Sequence, residues 1–194
     1  MEEKNGGIMF LREKILESTI EVFNEKGLKF TMDDVAKKCS ISKKTIYKEF
    51  KDKDDMFLRM VDYLFDSIKD AKEAIVKDET LTLEEKIKKI MCVMPEGYKD
   101  IDFRQLYRLK DKHPETYKKV EYRLSTGWDD TIRLLEEGKK EGIIKDVNIP
   151  LLKMMLESSI EQFFTRNILI ENGLSYQEGL DEVVDILING IIEH

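Results

Sequence analysis

The sequence predicts an all-α protein, and three observations support that prediction. The chain has 194 residues but only 3 prolines and 10 glycines, and its Glu-, Lys-, Leu- and Ile-rich composition favours long amphipathic helices over sheets. Apolar residues recur at helical spacing in almost every segment, beginning with Leu11, Ile15, Leu16, Ile20 and Phe23. No run of about 20 apolar residues, the length that crosses a membrane, interrupts this pattern.

The periodic segments and the residues that break them predict about nine helices. The first helix should end at Gly27, a residue suited to the left-handed conformation that follows a helix. A long helix is expected from Asp54 to about Lys77. The later helices are expected over residues 83–94, near 103–112, and over 115–140, 150–171 and 176–192.

The net charge of −7 is distributed unevenly along the chain. Between Lys26 and Lys53, nine lysines stand against four acidic residues, so this segment carries a net charge of +5 inside an acidic protein. Such asymmetry is typical of a surface that binds nucleic acid. A solvated lysine surface with no partner has the same composition, so charge alone leaves both interpretations open.

The residue types that catalysis and metal binding need are sparse. Cys39 and Cys92 lie far apart with no CxxC spacing, and His113 and His194 form no zinc-binding pattern. We therefore expect no metal, no cofactor and no catalytic site, and Cys92 with His113 is the only candidate nucleophile–base couple. The unpaired cysteines and the polar N-terminus, which lacks the features of a signal peptide, predict a cytoplasmic protein.

A short helix, a tight turn and a second short helix are predicted between Phe30 and Phe50. Thr31 can cap the first helix and Ser42 the second, because a hydroxyl accepts a hydrogen bond from a free backbone N–H group of the first turn. One such helix can lie across the DNA backbone while the next enters the major groove. Ile46 and Phe50 are expected to anchor the second helix to the core.

The polar side of the second helix is rich in groups that contact DNA. Hydroxyl groups can donate hydrogen bonds to phosphates, and ammonium groups can neutralise them. On this ground the predicted DNA contacts are Ser42, Lys43, Lys44, Thr45, Tyr47 and Lys48.

The segment from Phe30 to Lys53 closely resembles the DNA-binding region of the TetR family of repressors. The shared features are a Thr that opens the first short helix, an acid followed by Val-Ala, a tight turn, a Thr-Ile-Tyr core in the second helix, and a Phe and a Lys before the long helix. The resemblance covers residues 10–65, and beyond them only the helical layout. It implies that Thr31 and Lys53 contact phosphates as well.

Three positions depart from the family pattern. Ser40 stands where the family usually has Gly, and a left-handed backbone would cost a serine there about 1 kcal/mol. Lys44 replaces a common Gly and adds positive charge. Glu49 replaces a common His or aromatic residue and would repel phosphate if it faced DNA. These departures leave the fold prediction intact and make the operator sequence unpredictable.

The last two predicted helices carry wide apolar stripes. A broad stripe can bury one edge in its own subunit and another against a partner, although both stripes can also serve the core of a monomer. The resemblance implies that these helices pair with their copies in a homodimer. The predicted interface residues are Ile160, Phe164, Ile168, Val184, Leu187 and Ile191.

The resemblance also implies a ligand pocket among the helices of the second half. Methionine and aromatic side chains can line an apolar pocket, and plain core packing is the alternative for each of them. The predicted pocket residues are Met91, Met94, Tyr98, Phe103, Tyr107, Trp128 and Met155.

The sequence thus predicts a helix-turn-helix DNA-binding domain over residues 8–53 and a helical connector, ligand-binding and dimerisation domain over residues 54–194. The predicted function is that of a transcriptional repressor, released from a palindromic double-stranded DNA operator by a small apolar or aromatic effector, with no membrane partner. A helical adaptor that acts through a protein partner, with a purely structural helix-turn-helix, is the alternative.

Overall fold

The computed structural model describes residues 2–95, 98 and 102–193, and the side chains from residue 10 onward within those ranges. Nine of the helices in this described part are longer than four residues, which confirms the predicted all-α fold of about nine helices. The helices are α1 Glu2–Lys26, α2 Met32–Lys38, α3 Lys43–Glu49, α4 Lys53–Lys77, α5 Leu83–Cys92, α6 Arg104–Tyr107, α7 Leu109–Lys112, α8 Pro114–Ser125, α9 Asp129–Lys140, α10 Ile149–Thr165, α11 Ile168–Glu171 and α12 Tyr176–Ile191.

The chain divides into two compact units. Unit 1 comprises Met1–Phe65 and Gln105–Val120, and unit 2 comprises Asp66–Arg104 and Glu121–His194. Helix α4 therefore contributes residues to both units. The expected domain boundary between residues 53 and 54 falls inside unit 1, so the compact units differ from the predicted functional domains, whose boundary stays a prediction.

An aromatic core joins α1, α4 and the chain that enters α2 in unit 1. Phe23, Phe30 and Phe57 are almost completely buried, and their ring centroids lie 5.2 to 6.4 Å apart in edge-to-face arrangements. Edge-to-face aromatic pairs contribute about 0.5–1.5 kcal/mol beyond the burial of their area. This cluster fixes the position from which the two short helices start.

The two short helices begin where the sequence predicts. The Thr31 hydroxyl accepts a hydrogen bond from the backbone N–H of Asp34, whose carboxylate accepts one from the backbone N–H of Thr31 in return. The Ser42 hydroxyl accepts a hydrogen bond from the backbone N–H of Thr45. Gly27 follows α1 with a φ of 57°, as expected for the residue after a helix end.

Helices α5, α9, α10 and α12 form the packed centre of unit 2. Helix α5 contacts α9 and α12, and α10 contacts α9 and α12. The buried side chains at this centre include Ile87, Ile90, Leu134, Leu156 and Ile188. Helix α5 begins at a cap, because the Thr82 hydroxyl accepts a hydrogen bond from the backbone N–H of Glu85.

The prediction of a single helix over residues 115–140 is wrong, because a turn separates α8 from α9. Gly127 has a φ of 76°, a left-handed conformation that ends the helical hydrogen-bond pattern. The indole N–H of Trp128 donates to the Leu124 carbonyl at 3.0 Å. The ammonium groups of Lys72 and Lys153 lie 5.3 and 5.7 Å from the Trp128 ring centroid, a cation–π arrangement that holds this turn in unit 2.

The helix expected over residues 150–171 is also divided. Arg166 adopts an extended backbone, with φ of −121° and ψ of 164°, so α10 ends at Thr165 and the short α11 follows. Helix α5 likewise ends two residues before the expected Met94, because Val93 is extended. No proline marks the breaks after Ser125 and Thr165 in the sequence, whereas Pro95 follows the end of α5 by three residues.

The turn between α2 and α3 contains a strained residue. Ser40 has a φ of 57°, and within the described ranges it is the one residue other than glycine with a positive φ. Ser40 therefore adopts the left-handed backbone conformation that the sequence analysis considered for it. Because the Cβ atom crowds the backbone there, this position is a local cost in the helix-turn-helix.

We expect Ser40→Gly to raise the free energy of unfolding by about 0.5–1 kcal/mol, because glycine adopts this conformation without steric cost. Urea denaturation followed by circular dichroism measures the change. The control is Ser158→Gly at an exposed position of α10, where glycine should lower stability by about 0.5 kcal/mol. Equal destabilisation by the two variants would show that Ser40 carries no strain.

Candidate nucleic-acid interface

Helix α3 has one buried side and one exposed polar side. Ile46 is completely buried, and Phe50, which caps the helix, is 1% exposed. Tyr47 is 49% exposed although it neighbours Ile46 in sequence. The residues exposed around it are Ser42, Lys43, Lys44 and Lys48. The inward and outward assignments made from the sequence therefore agree with the structure, while contact with DNA stays a prediction.

An interaction with α1 orients the end of α3. The Arg12 guanidinium donates to the Glu49 backbone carbonyl at 3.1 Å and lies 5.8 Å from the Phe50 ring centroid. Arg12 Nε also lies 3.8 Å from the Glu49 carboxylate, whose side chain is 18% exposed. The carboxylate of Glu49 is thus paired within the protein, which reduces the repulsion of phosphate that its position in the sequence suggested.

Thr31 and Asp34 form a polar pair at the start of α2. The Thr31 hydroxyl donates to the Asp34 carboxylate at 2.9 Å, and Lys26 Nζ donates to the same carboxylate at 2.6 Å. The Lys26 hydrogen bond, followed by those from Thr31, lowers the pKa of Asp34 far below its ordinary value of 3.8. To contact a phosphate, the Thr31 hydroxyl would have to redirect its proton away from Asp34.

The remaining polar groups of α3 differ in their partners. The hydroxyls of Ser42 and Thr45 lie 2.9 Å apart, and Lys43 Nζ lies 3.7 Å from Asp33. Within the described part of the chain, Lys44 and Lys48 have no carboxylate within 4 Å. Among the three lysines of α3, Lys44 and Lys48 are therefore the two whose positive charge is not offset by an ion pair within the described residues.

Lys53, at the start of α4, is directed largely into unit 1. Its ammonium donates to the Leu28 carbonyl at 2.7 Å and to the Phe30 carbonyl at 2.6 Å. It also lies 4.5 Å from the Phe30 ring centroid and 5.4 Å from that of Phe57. Burial lowers the pKa of Lys53. Because two of its three N–H groups are engaged, at most one remains for the phosphate contact predicted from the sequence.

The residues predicted to form a ligand pocket are spread over both units. Tyr107 belongs to unit 1, where its ring meets that of Tyr117 edge-on at 5.8 Å. Met155 is half exposed on α10, and Trp128 lies in the turn described above. The buried members in unit 2 are Met91, Met94, Tyr98 and Phe103. Their role in binding a ligand stays a prediction.

The predicted dimer residues also differ in exposure within one copy of the chain. Phe164, Val184 and Ile191 are buried in unit 2, while Ile160 and Leu187 are half-buried and Ile168 is exposed. Apolar side chains that the sequence analysis left out of the interface are more exposed. These are Leu151 and Met154 on α10 and Ile186 on α12. Because these residues lie within the apolar stripes of α10 and α12, the sequence pattern could have identified them as interface candidates.

Neither member of the candidate catalytic couple has the surroundings of a nucleophile–base pair. Burial, followed by a hydrogen bond with Asp181, raises the pKa of Cys92 to about 12, which suppresses its thiolate. His113 Nδ1 lies 2.6 Å from Asp54 Oδ1 at the start of α4. The described ranges contain no group of three side chains that could hold a metal ion, and none of their helices is long and apolar enough to span a membrane.

The chain is similar to known bacterial transcriptional regulators. Residues 15–60, which run from the second half of α1 to the first turns of α4, match the model of the bacterial regulatory proteins of the tetR family. The chain is 28% identical over 179 residues to YvaF of Bacillus subtilis (strain 168), described as an uncharacterized HTH-type transcriptional regulator. That match covers 92% of this chain and 94% of the relative. The N-terminal part of the chain is thus similar to the DNA-binding region of the tetR family, and the whole chain is similar to an HTH-type transcriptional regulator.

Solved structures show the same fold along nearly the whole chain. A TetR transcription regulator from Haloarcula marismortui matches 95% of this chain and all of its own with a TM-score of 0.72 at 17% identity. FadR from Bacillus subtilis, solved in complex with stearoyl-CoA, matches 92% of this chain and 98% of its own with a TM-score of 0.62 at 20% identity. The chain therefore has the helical fold of these regulators.

Lys53→Met should lower the free energy of unfolding by about 1–3 kcal/mol, because it removes two charge-assisted hydrogen bonds and keeps the apolar stem. Lys51→Met, at an exposed position two residues earlier, is the control and should change stability by less than about 0.5 kcal/mol. Urea denaturation measures both. Similar stabilities for the two variants, with reduced DNA affinity for Lys53→Met alone, would make phosphate contact the main role of Lys53.

The pH dependence of stability should change in Asp34→Asn. Because the pKa of Asp34 is lower in the folded than in the unfolded protein, its contribution is present above the unfolded pKa and disappears as the pH falls toward the folded value. The free energy of unfolding of the wild type should thus fall more steeply between about pH 5 and pH 3 than that of the variant. Urea denaturation across this range tests it, and parallel slopes would contradict it.

Proposed function

We propose that this protein is a dimeric repressor of the TetR family that holds a palindromic operator until a small-molecule effector binds. The observation that supports this most directly is the exposed side of α3, where hydroxyl and ammonium groups stand together. Burial of Ile46 and Phe50 keeps that side turned outward. A short helix anchored in this way can enter the major groove with its polar residues toward the base edges and phosphates.

The charges around α3 favour DNA in spite of the negative charge of the whole chain. Lys44 and Lys48 have no ion-pair partner among the described residues, while the carboxylates of Asp34 and Glu49 are paired with Lys26 and Arg12. The unpaired ammonium groups of Lys44 and Lys48 therefore make the exposed side of α3 locally positive. We assign phosphate contacts to Tyr47 and Lys48, and contacts with bases or phosphates to the residues at the start of α3, Lys43, Lys44 and Thr45.

Dimerisation would give the regulator two such helices. The exposed Leu151 and Met154 on α10 and Ile186 on α12, with the half-buried Ile160 and Leu187, supply apolar area for a second copy. Two copies related by a twofold axis would contact half-sites about 34–36 Å apart, one turn of DNA. The symmetry of the protein would then match a palindromic operator.

Release by an effector would act through α4, because this helix contributes residues to both units. An effector that favours the non-binding state by about 2.7 kcal/mol would lower operator affinity about 100-fold. FadR of Bacillus subtilis, which shares the fold, was solved with the apolar acyl chain of stearoyl-CoA. That relative supports an apolar effector for this chain as well.

The double variant Tyr47→Phe/Lys48→Ala should weaken operator binding at least about tenfold, because it removes a hydroxyl and an ammonium group that bind phosphates in each copy. Fluorescence anisotropy with DNA from the region upstream of the gene, against scrambled DNA and over a salt series, measures the effect. The slope of log affinity against log salt should fall by about 1 for each phosphate that the substituted lysine no longer neutralises.

Tyr122→Phe/Lys140→Ala is the matched control, since both residues are exposed and lie in unit 2. It should bind DNA as the wild type does. Unchanged affinity in the α3 variant would make the assigned contacts wrong. Equal, weak binding of the wild type to upstream and scrambled DNA would instead favour the adaptor function, in which α3 is structural and the partner is a protein.

A further inference from the structure

A pocket of about 220 Å³ lies in unit 2 beside the ends of α10, α11 and α12. Three aromatic and three aliphatic side chains supply most of its lining: Phe103, Phe163, Leu169, Ile170, Leu174 and Tyr176. Of the residues predicted from the sequence to bind a ligand, Phe103 is the one in this lining. The pocket therefore differs from the predicted site in location and in composition.

The aromatic part of the lining is well ordered by ring contacts. The Tyr176 ring centroid lies 4.2 Å from that of Phe103 and 6.0 Å from that of Phe163. Phe103 in turn stacks nearly parallel to Phe164 at 5.4 Å. Flat rings held in this way present π surfaces on which another planar ring can stack or meet edge-on.

Tyr176 adds one polar group to this apolar surface. Its side chain is buried, and no hydrogen-bond partner of its hydroxyl is found among the described residues. Burial raises the pKa of Tyr176, so the hydroxyl remains neutral and can both donate and accept a hydrogen bond. Because Tyr176 lines the pocket, its hydroxyl is placed to hydrogen-bond a ligand there.

The charged residues beside the pocket compensate each other. Arg104 Nε and Nη2 each donate to the Asp102 carboxylate at 2.7 Å, in a two-pronged arrangement, and Nη1 donates to Asn167 at 3.0 Å. The pocket thus offers an incoming anion no uncompensated cation among its described lining residues. Because burial of an unpaired charge is costly, the pocket favours an uncharged ligand.

Gly179 in α12 lies directly against two side chains of the pocket lining. A Cβ atom at this position would lie 2.3 Å from Leu169 Cδ2 and 3.5 Å from the Phe163 ring. Glycine inside a helix costs about 0.5–1 kcal/mol relative to alanine, so its presence here has a structural reason. It allows two lining residues, Leu169 and Phe163, to pack directly against the α12 backbone.

The volume limits the ligand to a small molecule. An apolar cavity of about 150 Å³ holds one benzene molecule, whereas pockets for drug-sized ligands measure about 300–1,000 Å³. We propose that this pocket binds an uncharged, planar molecule of one or two fused aromatic rings. If the proposed function holds, this ligand is the effector that releases the operator.

The first test is isothermal titration calorimetry of the full-length protein with indole, an uncharged bicyclic probe. A dissociation constant below about 1 mM is expected. Indole-3-carboxylate, which has the same rings and a negative charge at neutral pH, should bind at least about tenfold more weakly. Absence of indole binding, or equal affinity for the two probes, would overturn the proposal.

Two tryptophan variants locate the binding site. Ile170 lines the pocket and is 56% exposed, so Ile170→Trp places a bulky ring at its mouth without disturbing the core. Tyr122→Trp is the matched control, because Tyr122 is 66% exposed, lies in unit 2 and is outside the lining. Indole affinity should fall at least tenfold in the first and stay unchanged in the second. Gly179→Ala, which pushes Leu169 inward, should also weaken binding.

Operator binding with and without indole separates this proposal from the proposed function. A fall in operator affinity in the presence of indole for the wild type, but not for Ile170→Trp, supports both. Failure of the free wild type to bind the operator would overturn the proposed function and leave the calorimetry to decide on the pocket. Indole binding that leaves operator affinity unchanged would overturn the assignment of this pocket as the effector site.

Discussion

The ammonium group of Lys53, held among Phe30, Phe57 and two backbone carbonyls, is the interaction on which the arrangement of unit 1 depends. It joins the first residue of α4 to the chain that enters α2. The carbonyls of Leu28 and Phe30 lie just ahead of the Thr31 cap, so their positions determine the direction of α2. Because the ammonium binds backbone atoms, this constraint is largely independent of which side chains face DNA.

A second constraint comes from the opposite direction, through Arg12 of α1. Its guanidinium binds the backbone at the end of α3 and pairs with Glu49. Helix α3 is thus held at its end by α1 and along its length by Ile46. Rigid support of this kind matters for a DNA-reading helix, because the hydrogen bonds that distinguish bases require side chains placed to within a fraction of an ångström.

The elements predicted well from the sequence are those encoded by neighbouring residues. Thr31 and Ser42 cap the helices that follow them because a hydroxyl reaches only its own first turn. Ser40 adopts the left-handed conformation because the tight turn requires it, whatever residue stands there. The outward side of α3 followed from helical period alone, since Ile46 and Phe50 had to face the core.

The parts that the sequence did not predict depend on residues far apart in the chain. Lys53 occupies a position that resembles a phosphate contact, and only the folded chain shows that Leu28 and Phe30 engage it. Residues of α11 form part of the small pocket. The apolar periodicity of the sequence predicts one continuous helix over α10 and α11, so it does not reveal the break between them. One sequence feature near the pocket could have indicated the close packing there. It is Gly179, a glycine that lies inside a helix and is not part of a turn.

The turn that separates α8 from α9 has a practical consequence for spectroscopy. It contains Trp128, the single tryptophan of the chain, and this residue belongs to unit 2. The aromatic core of unit 1 consists of phenylalanines, which contribute nothing to tryptophan emission. Tryptophan emission, excited selectively over that of the tyrosines, therefore reports the state of unit 2, with an indole environment set by the ammonium groups of Lys72 and Lys153. Circular dichroism averages over both units, so a difference between the two signals during unfolding would reveal that the units lose their structure separately.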